Sequence, residues 1–320
     1  ILEDALNTAF EGRPGPVHIH VPKDVTIMEV PNFRKVKLDI KPVLPDTARI
    51  QEFGNVLSDA IKNDKKVGVI IGYGCIRSHA ENALRKFVDR FQLPYFTTMD
   101  AKGALSEEHP LNIGMYGTSG DPGATAFFDS ADVILALGNS FAQNATFAFK
   151  PDLYENKTLL HINIDPNEVD KVYKADHSMV SDILPAIEAL HEEMEKAIPD
   201  QPAEKAVESE RNCDLPIKHT GAKIHPGELC REISKCLPPD AIVMGDAGSH
   251  MLWLCAHMKY GQNQRYQNPG SFGPMASHTN GCIGVKCANP DKVVVSGSGD
   301  GCYLMAGFEL MTAVQYDIPV

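Results

Sequence analysis

Short apolar runs that alternate with helical patterns constrain the fold of this chain more than any other feature. Three such runs are Val67–Ile71, Asp132–Gly138 and Thr158–Asp165. Nearly continuous apolar runs of this length are typical of parallel strands buried on both faces of a sheet. Apolar spacing and capping residues predict helices before, between and after them, at 46–61, 78–91 and 183–196. This order predicts an α/β fold with a parallel sheet.

The same pattern divides the chain into segments. A helix over 2–10 and a strand over Val17–Val21 predict that residues 1–30 are the end of one α/β domain. A proline-rich linker at 31–45 precedes a central Rossmann-like domain at 46–197. A polar linker at 198–222 then leads to a third α/β unit at 223–320. The elements predicted in that unit are helices at 226–237, 251–258 and 303–316 and strands at 241–244 and 292–296.

Charge and composition exclude several classes of protein. The 42 acidic and 30 basic residues give a net charge of -12, which argues against nucleic acid or an anionic membrane as a partner. No apolar run approaches the ~18 residues of a membrane span, and the first residues do not resemble a signal peptide. We expect a cytoplasmic protein. Its eight scattered cysteines are expected to be reduced thiols.

The segment most indicative of chemistry is a predicted strand that ends in Gly299-Asp300-Gly301 and opens a helix. At such a turn, glycines let the backbone approach a phosphate, and the helix start favours an anion. Asp300 beside that phosphate could hold Mg²⁺, which commonly bridges a carboxylate and phosphate oxygens. On these residues alone, a structural turn with Asp300 as a helix cap is the simpler alternative.

A second turn of the same kind lies upstream. The strand that ends near Met244 leads through Asp246-Ala247-Gly248 to Ser249-His250, at another predicted helix start. Two phosphate-type turns in one α/β unit suggest a diphosphate held between neighbouring strand ends, with His250 as a possible donor. A surface histidine is the alternative for His250.

Together with the segment 268–276, these turns resemble the thiamin-diphosphate-dependent enzymes of the acetolactate synthase and pyruvate decarboxylase superfamily. The resemblance implies that Asp300 is a Mg²⁺ ligand and that the Gly273 carbonyl meets the aminopyrimidine of the cofactor. It also implies that Met275 wedges between the two rings of thiamin. The residues that it assigns to the diphosphate turns are Gly248, Ser249, His250, Gly299, Gly301 and Cys302. Pro274 and the residues 276–280 depart from the family pattern.

The resemblance also implies an activity and a larger protein. It implies decarboxylation of pyruvate or another 2-oxo acid, followed by protonation or joining to a second carbonyl, in a homodimer or homotetramer. Residues 1–30 resemble the end of the pyrimidine-binding domain, and 223–320 a truncated diphosphate-binding domain. The activating glutamate is expected before Ile1, and a further metal-binding asparagine after Val320. No catalytic residue is therefore assigned, and the chain alone is expected to be an inactive fragment.

Alternatives remain open at this stage. Glyoxylate carboligase and simple 2-oxo acid decarboxylase share the motifs, and a non-catalytic nucleotide-binding or regulatory homologue could keep the fold. Gly114–Gly117 resembles a segment that contacts FAD in acetolactate synthases. The family's Arg-Phe-Asp-Asp stretch is replaced by Asn139–Gln143, which argues against bound FAD. Thiamin diphosphate and Mg²⁺ are the expected cofactors.

Overall fold

The fold is described from a computed structural model, which covers residues 1–30, 32, 35–200, 202–217, 221 and 223–320. The backbone of Ser271 is included, but its side chain is not. Parts of both predicted linkers lie outside the described residues. These are positions 31, 33 and 34 in the first and 201, 218–220 and 222 in the second.

A six-stranded parallel sheet forms the centre of the molecule. The strands are β1 (Val67–Ile71), β2 (Tyr95–Thr97), β3 (Asn112–Met115), β4 (Val133–Leu137), β5 (Thr158–Asn163) and β6 (His177–Val180). Their order is β3-β2-β1-β4-β5-β6, so the order of the strands reverses between β1 and β4. β1 and β4 are buried along their whole length, which explains their continuous apolar sequences. The predicted α/β class with a parallel sheet is confirmed.

Helices cover both faces of this sheet. Described residues before the third unit form α1 (Leu2–Phe10), α2 (Thr47–Lys62), α3 (Tyr73–Arg77), α4 (Glu81–Phe91), α5 (Pro122–Ser130) and α6 (Ile183–Ala197). Buried side chains of α2, α4 and α6 form one core with the sheet, whereas those of α5 join an aromatic core on the other face. Asp46 caps α2 by accepting a hydrogen bond from Arg49 N at 2.9 Å, as its position before the helix predicts.

The third unit contains a smaller parallel sheet. Its strands are β7 (Ile242–Gly245), β8 (Arg265–Gln267) and β9 (Val294–Gly297), in the order β8-β7-β9. Its helices are α7 (Pro226–Cys236), α8 (Ser249–His257), α9 (Ser277–Ala288), α10 (Asp300–Ala306) and α11 (Leu310–Gln315). β7 and β9, the strands that precede the two predicted turns, are neighbours in this sheet.

Three sequence predictions differ from the structure. Residues Val17–Val21 form no strand, because no other described strand supplies hydrogen bonds to them. The helix predicted over 78–91 begins only at Glu81, since His79 takes a left-handed backbone with φ of 53°. The helix predicted over 303–316 is divided by a 3₁₀ turn at Gly307–Glu309.

The central and third units are joined at Glu107, which also forms a buried ion pair within the central unit. Lys102 Nζ lies 2.6 Å from Glu107 Oε1, and the other carboxylate oxygen of Glu107 accepts a hydrogen bond from Tyr260 N at 2.9 Å. Glu107 N in turn donates to Tyr260 O at 2.9 Å. The polar segment before the third unit adds to this contact, since Arg211 donates to the carbonyls of Glu107 and Asn112.

Two further sequence expectations concern the whole chain. All eight cysteines are free thiols, as predicted. In α9, Cys282 is buried whereas Cys287, near the end of the helix, is exposed. Among the described residues, no helix combines the length and apolar character needed to cross a bilayer. The cytoplasmic location stays a prediction.

Candidate functional site

The two predicted phosphate-type turns lie next to each other. β7 and β9 are hydrogen-bonded in parallel with Gly245 opposite Gly297, so both strands end at the same edge of the sheet. Asp246 N donates to Gly297 O at 3.0 Å, which holds the two strand ends together. The first turn leads into α8 at Ser249, and the second leads into α10 at Asp300. The carboxyl edge of a parallel sheet is where such folds bind ligands.

The ring of His250 fills the space between the two turns. A Cβ atom added to Gly248 would lie 2.6 Å from His250 Cε1, and one added to Gly299 would lie 2.8 Å from the same atom. Gly248 also has a φ of 148°, which favours glycine. Nε2 of His250 is buried and has no hydrogen-bond partner in the described part of the chain. A buried ring nitrogen without a partner is suited to an incoming polar ligand.

Met275 and Cys302 reach the same turns from different directions. A Cβ on Gly301 would lie 2.9 Å from Met275 Cε, so the methyl group of Met275 lies against the Gly-Asp-Gly turn. Met275 itself is about half exposed. Cys302 is buried, and its Sγ donates to Ala247 O at 3.2 Å, which links the second turn to the first.

The remaining predicted site residues lie at the rim. Ser249 is the first residue of α8, and Asp300 is the first residue of α10 with an exposed side chain. Gly273 ends a short 3₁₀ turn in a left-handed conformation with φ of 57°, and a Cβ there would have no neighbour within 4 Å. Gly273 therefore lies on an open loop.

The site has few protein ligands for a metal. No group of three or more His, Cys, Asp or Glu side chains with metal-binding geometry exists among the residues the structure describes. Mg²⁺ in phosphate sites is held by one or two carboxylates, with substrate phosphates and water completing its shell. A single exposed carboxylate at Asp300, on the edge that carries both turns, fits that type of site.

Sequence reasoning missed a buried polar network below the turns. Asp246 is fully buried and accepts hydrogen bonds from Ala247 N at 2.7 Å and from Thr279 N at 2.8 Å. The hydroxyl of Thr279 donates to the same carboxylate and contacts the hydroxyl of Ser298. Burial acts to raise the pKa of Asp246, but the hydrogen bonds from Thr279 and Ala247 outweigh it and hold the pKa below its usual value.

Trp253 and the glycines of the segment 114–117 have structural roles. Trp253 stacks on His257, with ring centroids 5.2 Å apart, and packs edge-on against His225, so it has a packing role. In the segment that resembles an FAD contact, Gly114 and Gly117 have φ values of 116° and 125°. These two glycines approach Asp121 and Asn144 so closely that a Cβ would clash. The absence of bound FAD stays a prediction.

Comparison with known families gives the class of protein. Residues 55–190 match the family described as "Thiamine pyrophosphate enzyme, central domain". Residues 246–320 match "Thiamine pyrophosphate enzyme, C-terminal TPP binding domain", which begins at Asp246 and contains both turns. The chain therefore belongs to the thiamine pyrophosphate enzyme family. The resemblance inferred from the motifs is confirmed.

Individual relatives make the similarity more specific. The acetolactate synthase large subunit of Corynebacterium glutamicum is 29% identical and is matched over 100% of this chain and 52% of its own length. The probable acetolactate synthase large subunit of Methanocaldococcus jannaschii is 30% identical, over 100% of this chain and 56% of its own. The acetolactate synthase isozyme 3 large subunit of Escherichia coli is 28% identical, over 100% and 57%. The chain thus spans about half the length of the curated relatives it matches.

Proposed function

We propose that the protein is a thiamin-diphosphate- and Mg²⁺-dependent carboligase or lyase that acts on pyruvate or a related 2-oxo acid. The observation that carries this proposal is the pair of turns at the ends of β7 and β9, with the ring of His250 between Gly248 and Gly299. The similarity to acetolactate synthase large subunits supports the choice of pyruvate. Acetolactate formation is the particular reaction that we propose.

The proposed roles of the first turn follow from its contacts. The backbone N–H groups at the start of α8, at Ser249 and His250, would bind diphosphate oxygens, helped by the positive end of the helix dipole. His250 would donate from Nε2, the buried nitrogen that has no protein partner in the described chain. Gly248 lets the backbone come close to that ring and hence to the diphosphate.

The second turn is proposed to bind the metal. Asp300 would supply a carboxylate oxygen to Mg²⁺, while Gly299, Gly301 and Cys302 would shape the backbone around the diphosphate. The Cys302 thiol keeps the two turns in contact through Ala247 O. A divalent cation at Asp300 would offset the charge that a diphosphate brings to an acidic protein.

Met275 and Gly273 are proposed to contact the organic part of the cofactor. Met275 is an exposed, flexible thioether held against the metal-binding turn, and such a side chain adapts to an aromatic ring. The carbonyl of Gly273, which lies on an open loop, would meet the amine of the aminopyrimidine. Thiamin diphosphate, when bound, supplies the carbanion chemistry that cleavage of a 2-oxo acid requires. The protein contributes orientation, the metal and exclusion of water.

We further propose that the working protein contains a second copy of this chain. Six apolar side chains between the start of α10 and the end of α11 are exposed, and exposed apolar surface is typical of interaction sites. They are Tyr303, Leu304, Met305, Phe308, Met311 and Val314. This surface adjoins the turn at Asp300, so a partner bound there would also cover the site. Analytical ultracentrifugation of the full-length protein tests the proposal: a dimer or tetramer supports it, and a stable monomer contradicts it.

Titration calorimetry tests the proposed cofactors. We expect the full-length protein to bind thiamin diphosphate in the presence of Mg²⁺ and to lose affinity when EDTA removes the metal. Asp300→Asn should abolish the effect of Mg²⁺, because the amide is a poor ligand for a hard cation. The matched control is Asp291→Asn, an exposed acidic residue ahead of β9. Equal affinities with and without Mg²⁺ in the unsubstituted protein would refute the metal assignment.

A further inference from the structure

Two segments of the third unit meet at one buried carboxylate. Asp246 belongs to the first turn, and its Oδ1 accepts a hydrogen bond from Ala247 N at 2.7 Å. Its Oδ2 accepts two more, from Thr279 N at 2.8 Å and from Thr279 Oγ1 at 2.5 Å. Thr279 lies in the first turn of α9, 33 positions away in the sequence. Three of the roughly four acceptor positions of a carboxylate are thus used within the protein.

A further hydrogen bond connects Thr279 to Ser298, the residue before the second turn. Thr279 Oγ1 also lies 2.5 Å from Ser298 Oγ. An ionised carboxylate only accepts, so the single hydroxyl proton of Thr279 goes to Asp246. Ser298 must then donate to Thr279. The result is a chain from Ser298 through Thr279 to Asp246 that joins the residue before Gly299 to the residue before Ala247.

The same network holds the segment that carries Met275. The residue after Met275 is Ala276, whose φ of 67° is unfavourable for a residue with a Cβ. Such a conformation persists only where the surrounding contacts fix it. The hydrogen bond from Thr279 N to Asp246 is one such contact, since Thr279 lies three residues after Ala276. The position of Met275 against Gly301 therefore depends on the anchoring of α9.

We propose that Asp246 and Thr279 are positioning residues that hold the two cofactor-binding turns and the Met275 segment in register. The inference rests on the proposed function, since it concerns the site for thiamin diphosphate and Mg²⁺. It gives Asp246 a role other than metal binding, because its oxygens are occupied by Ala247 and Thr279. It also explains Thr279, one of the positions at which the chain departs from the family pattern.

The test removes one hydroxyl at a time. Thr279→Val keeps the size and the backbone N–H of Thr279 but removes the hydroxyl. Thr279→Ser keeps both hydrogen bonds and serves as the conservative rescue. The matched control is Ser234→Ala, since the Ser234 hydroxyl also bridges two segments, to Lys259 O, away from the turns. Each full-length variant is titrated with thiamin diphosphate and Mg²⁺ by calorimetry, and its melting temperature is measured without cofactor.

We expect Thr279→Val to weaken cofactor affinity by about 10- to 100-fold, the usual effect of removing a group that orients a ligand set. Thr279→Ser and Ser234→Ala should bind as the unsubstituted protein does. Wild-type affinity in a folded Thr279→Val variant would overturn the inference while leaving the proposed function intact. Failure of the unsubstituted protein to bind would instead refute the proposed function.

A double-substitution cycle keeps the proposal testable if Thr279→Val lowers the melting temperature strongly. Ser298 has an exposed side chain, so Ser298→Ala should leave the fold intact. If Ser298 acts through Thr279, Ser298→Ala weakens binding in the unsubstituted protein and in the Thr279→Ser background. It should add nothing further in the Thr279→Val background, where the bond to Ser298 is already lost. The loss of affinity in the variant with both Ser298→Ala and Thr279→Val should therefore be smaller than the sum of the losses in the two single variants. Fully additive losses would overturn the proposed hydrogen-bond chain.

Discussion

The methyl group of Met275 lies against Gly301, so closely that a Cβ on Gly301 would come within 2.9 Å of Met275 Cε. The two residues are 26 positions apart in the sequence, on different sides of β9. This contact brings a flexible apolar side chain to the turn that carries Asp300. The proposed organic and metal parts of the cofactor site thus meet at one glycine.

Gly301→Ala should weaken cofactor binding while leaving the stability of the fold nearly unchanged. The added Cβ meets only the far end of Met275, which can move away, so we expect the free energy of unfolding to change by less than about 1 kcal/mol. Displacing Met275 should weaken thiamin diphosphate binding by about tenfold, or about 1.4 kcal/mol. Gly284→Ala is the control, since a Cβ there has no neighbour within 4 Å. Calorimetry and thermal melting check both quantities; unchanged affinity in Gly301→Ala would contradict the role given to Met275.

The buried pair Lys102–Glu107 should dominate the stability of the contact between the two units. Both side chains are less than 5% exposed, and attraction to Glu107 more than offsets burial, so the pKa of Lys102 stays above its usual value. Lys102→Met leaves a buried carboxylate without its cation and should lower the free energy of unfolding by about 3–5 kcal/mol. Adding Glu107→Gln should restore part of the loss.

Urea denaturation followed by the fluorescence of Trp253 measures this effect. The control is Lys235→Met, which breaks the exposed pair of Lys235 and Glu232 and should cost less than about 1 kcal/mol. Equal losses from the buried and the exposed pair would contradict the account of this contact.

Much of the fold follows from local sequence, and the rest depends on contacts between distant residues. β1, β4 and β5 are central strands, and their apolar runs predict them well. The strands β3, β6 and β8 lie at sheet edges and begin with Asn112, His177 and Arg265, so their sequences carry no such signal. β6 and β8 are partly exposed to solvent and need no continuous apolar run, whereas β3 is buried but has only four residues, two of which are Asn112 and Gly114.

The candidate site shows the same division. Glycines and an aspartate after a strand predict each turn locally, and the sequence places both turns at the correct helix starts. The partnership of Asp246 with Thr279 spans 33 positions and depends on how α9 packs beside β9. No local pattern encodes such a contact. The only sequence signal was that Thr279 departs from the family pattern.

His161 should make stability depend on pH. Its side chain is fully buried, and burial lowers its pKa although Nε2 lies 2.8 Å from Asn139 O. The unfolded chain takes up a proton below about pH 6.5, whereas the folded chain resists it. The free energy of unfolding should therefore fall as the pH drops below about 6.5, by up to about 1.4 kcal/mol per pH unit.

The measurement is urea denaturation at pH 7.5, 6.0 and 5.0 for the unsubstituted protein, His161→Gln and His18→Gln. His161→Gln should show a shallower fall in stability over this range. His18 is exposed, so its substitution should leave the slope unchanged. Parallel pH profiles for all three proteins would rule out His161 as a source of the dependence.

The end of the central sheet should not accept FAD. Dinucleotides bind in such folds where the strand order reverses, which is between β1 and β4 here. A Cβ on Gly72, after β1, would lie 2.3 Å from Gly138 O, after β4, so the two strand ends approach each other closely there. Asn139–Gln143, which replaces the family's Arg-Phe-Asp-Asp stretch, follows directly after Gly138. We expect colourless purified protein and no change of melting temperature with added FAD. A yellow protein, or stabilisation by FAD, would contradict this prediction.

The most direct test of the central claim is to identify the product formed from pyruvate. The full-length protein is incubated with pyruvate, thiamin diphosphate and Mg²⁺, and the mixture is followed by NMR. We predict acetolactate, with no product when thiamin diphosphate is omitted. Acetaldehyde would indicate a decarboxylase and contradict the proposed carboligation, and no turnover of pyruvate despite cofactor binding would contradict the proposed substrate.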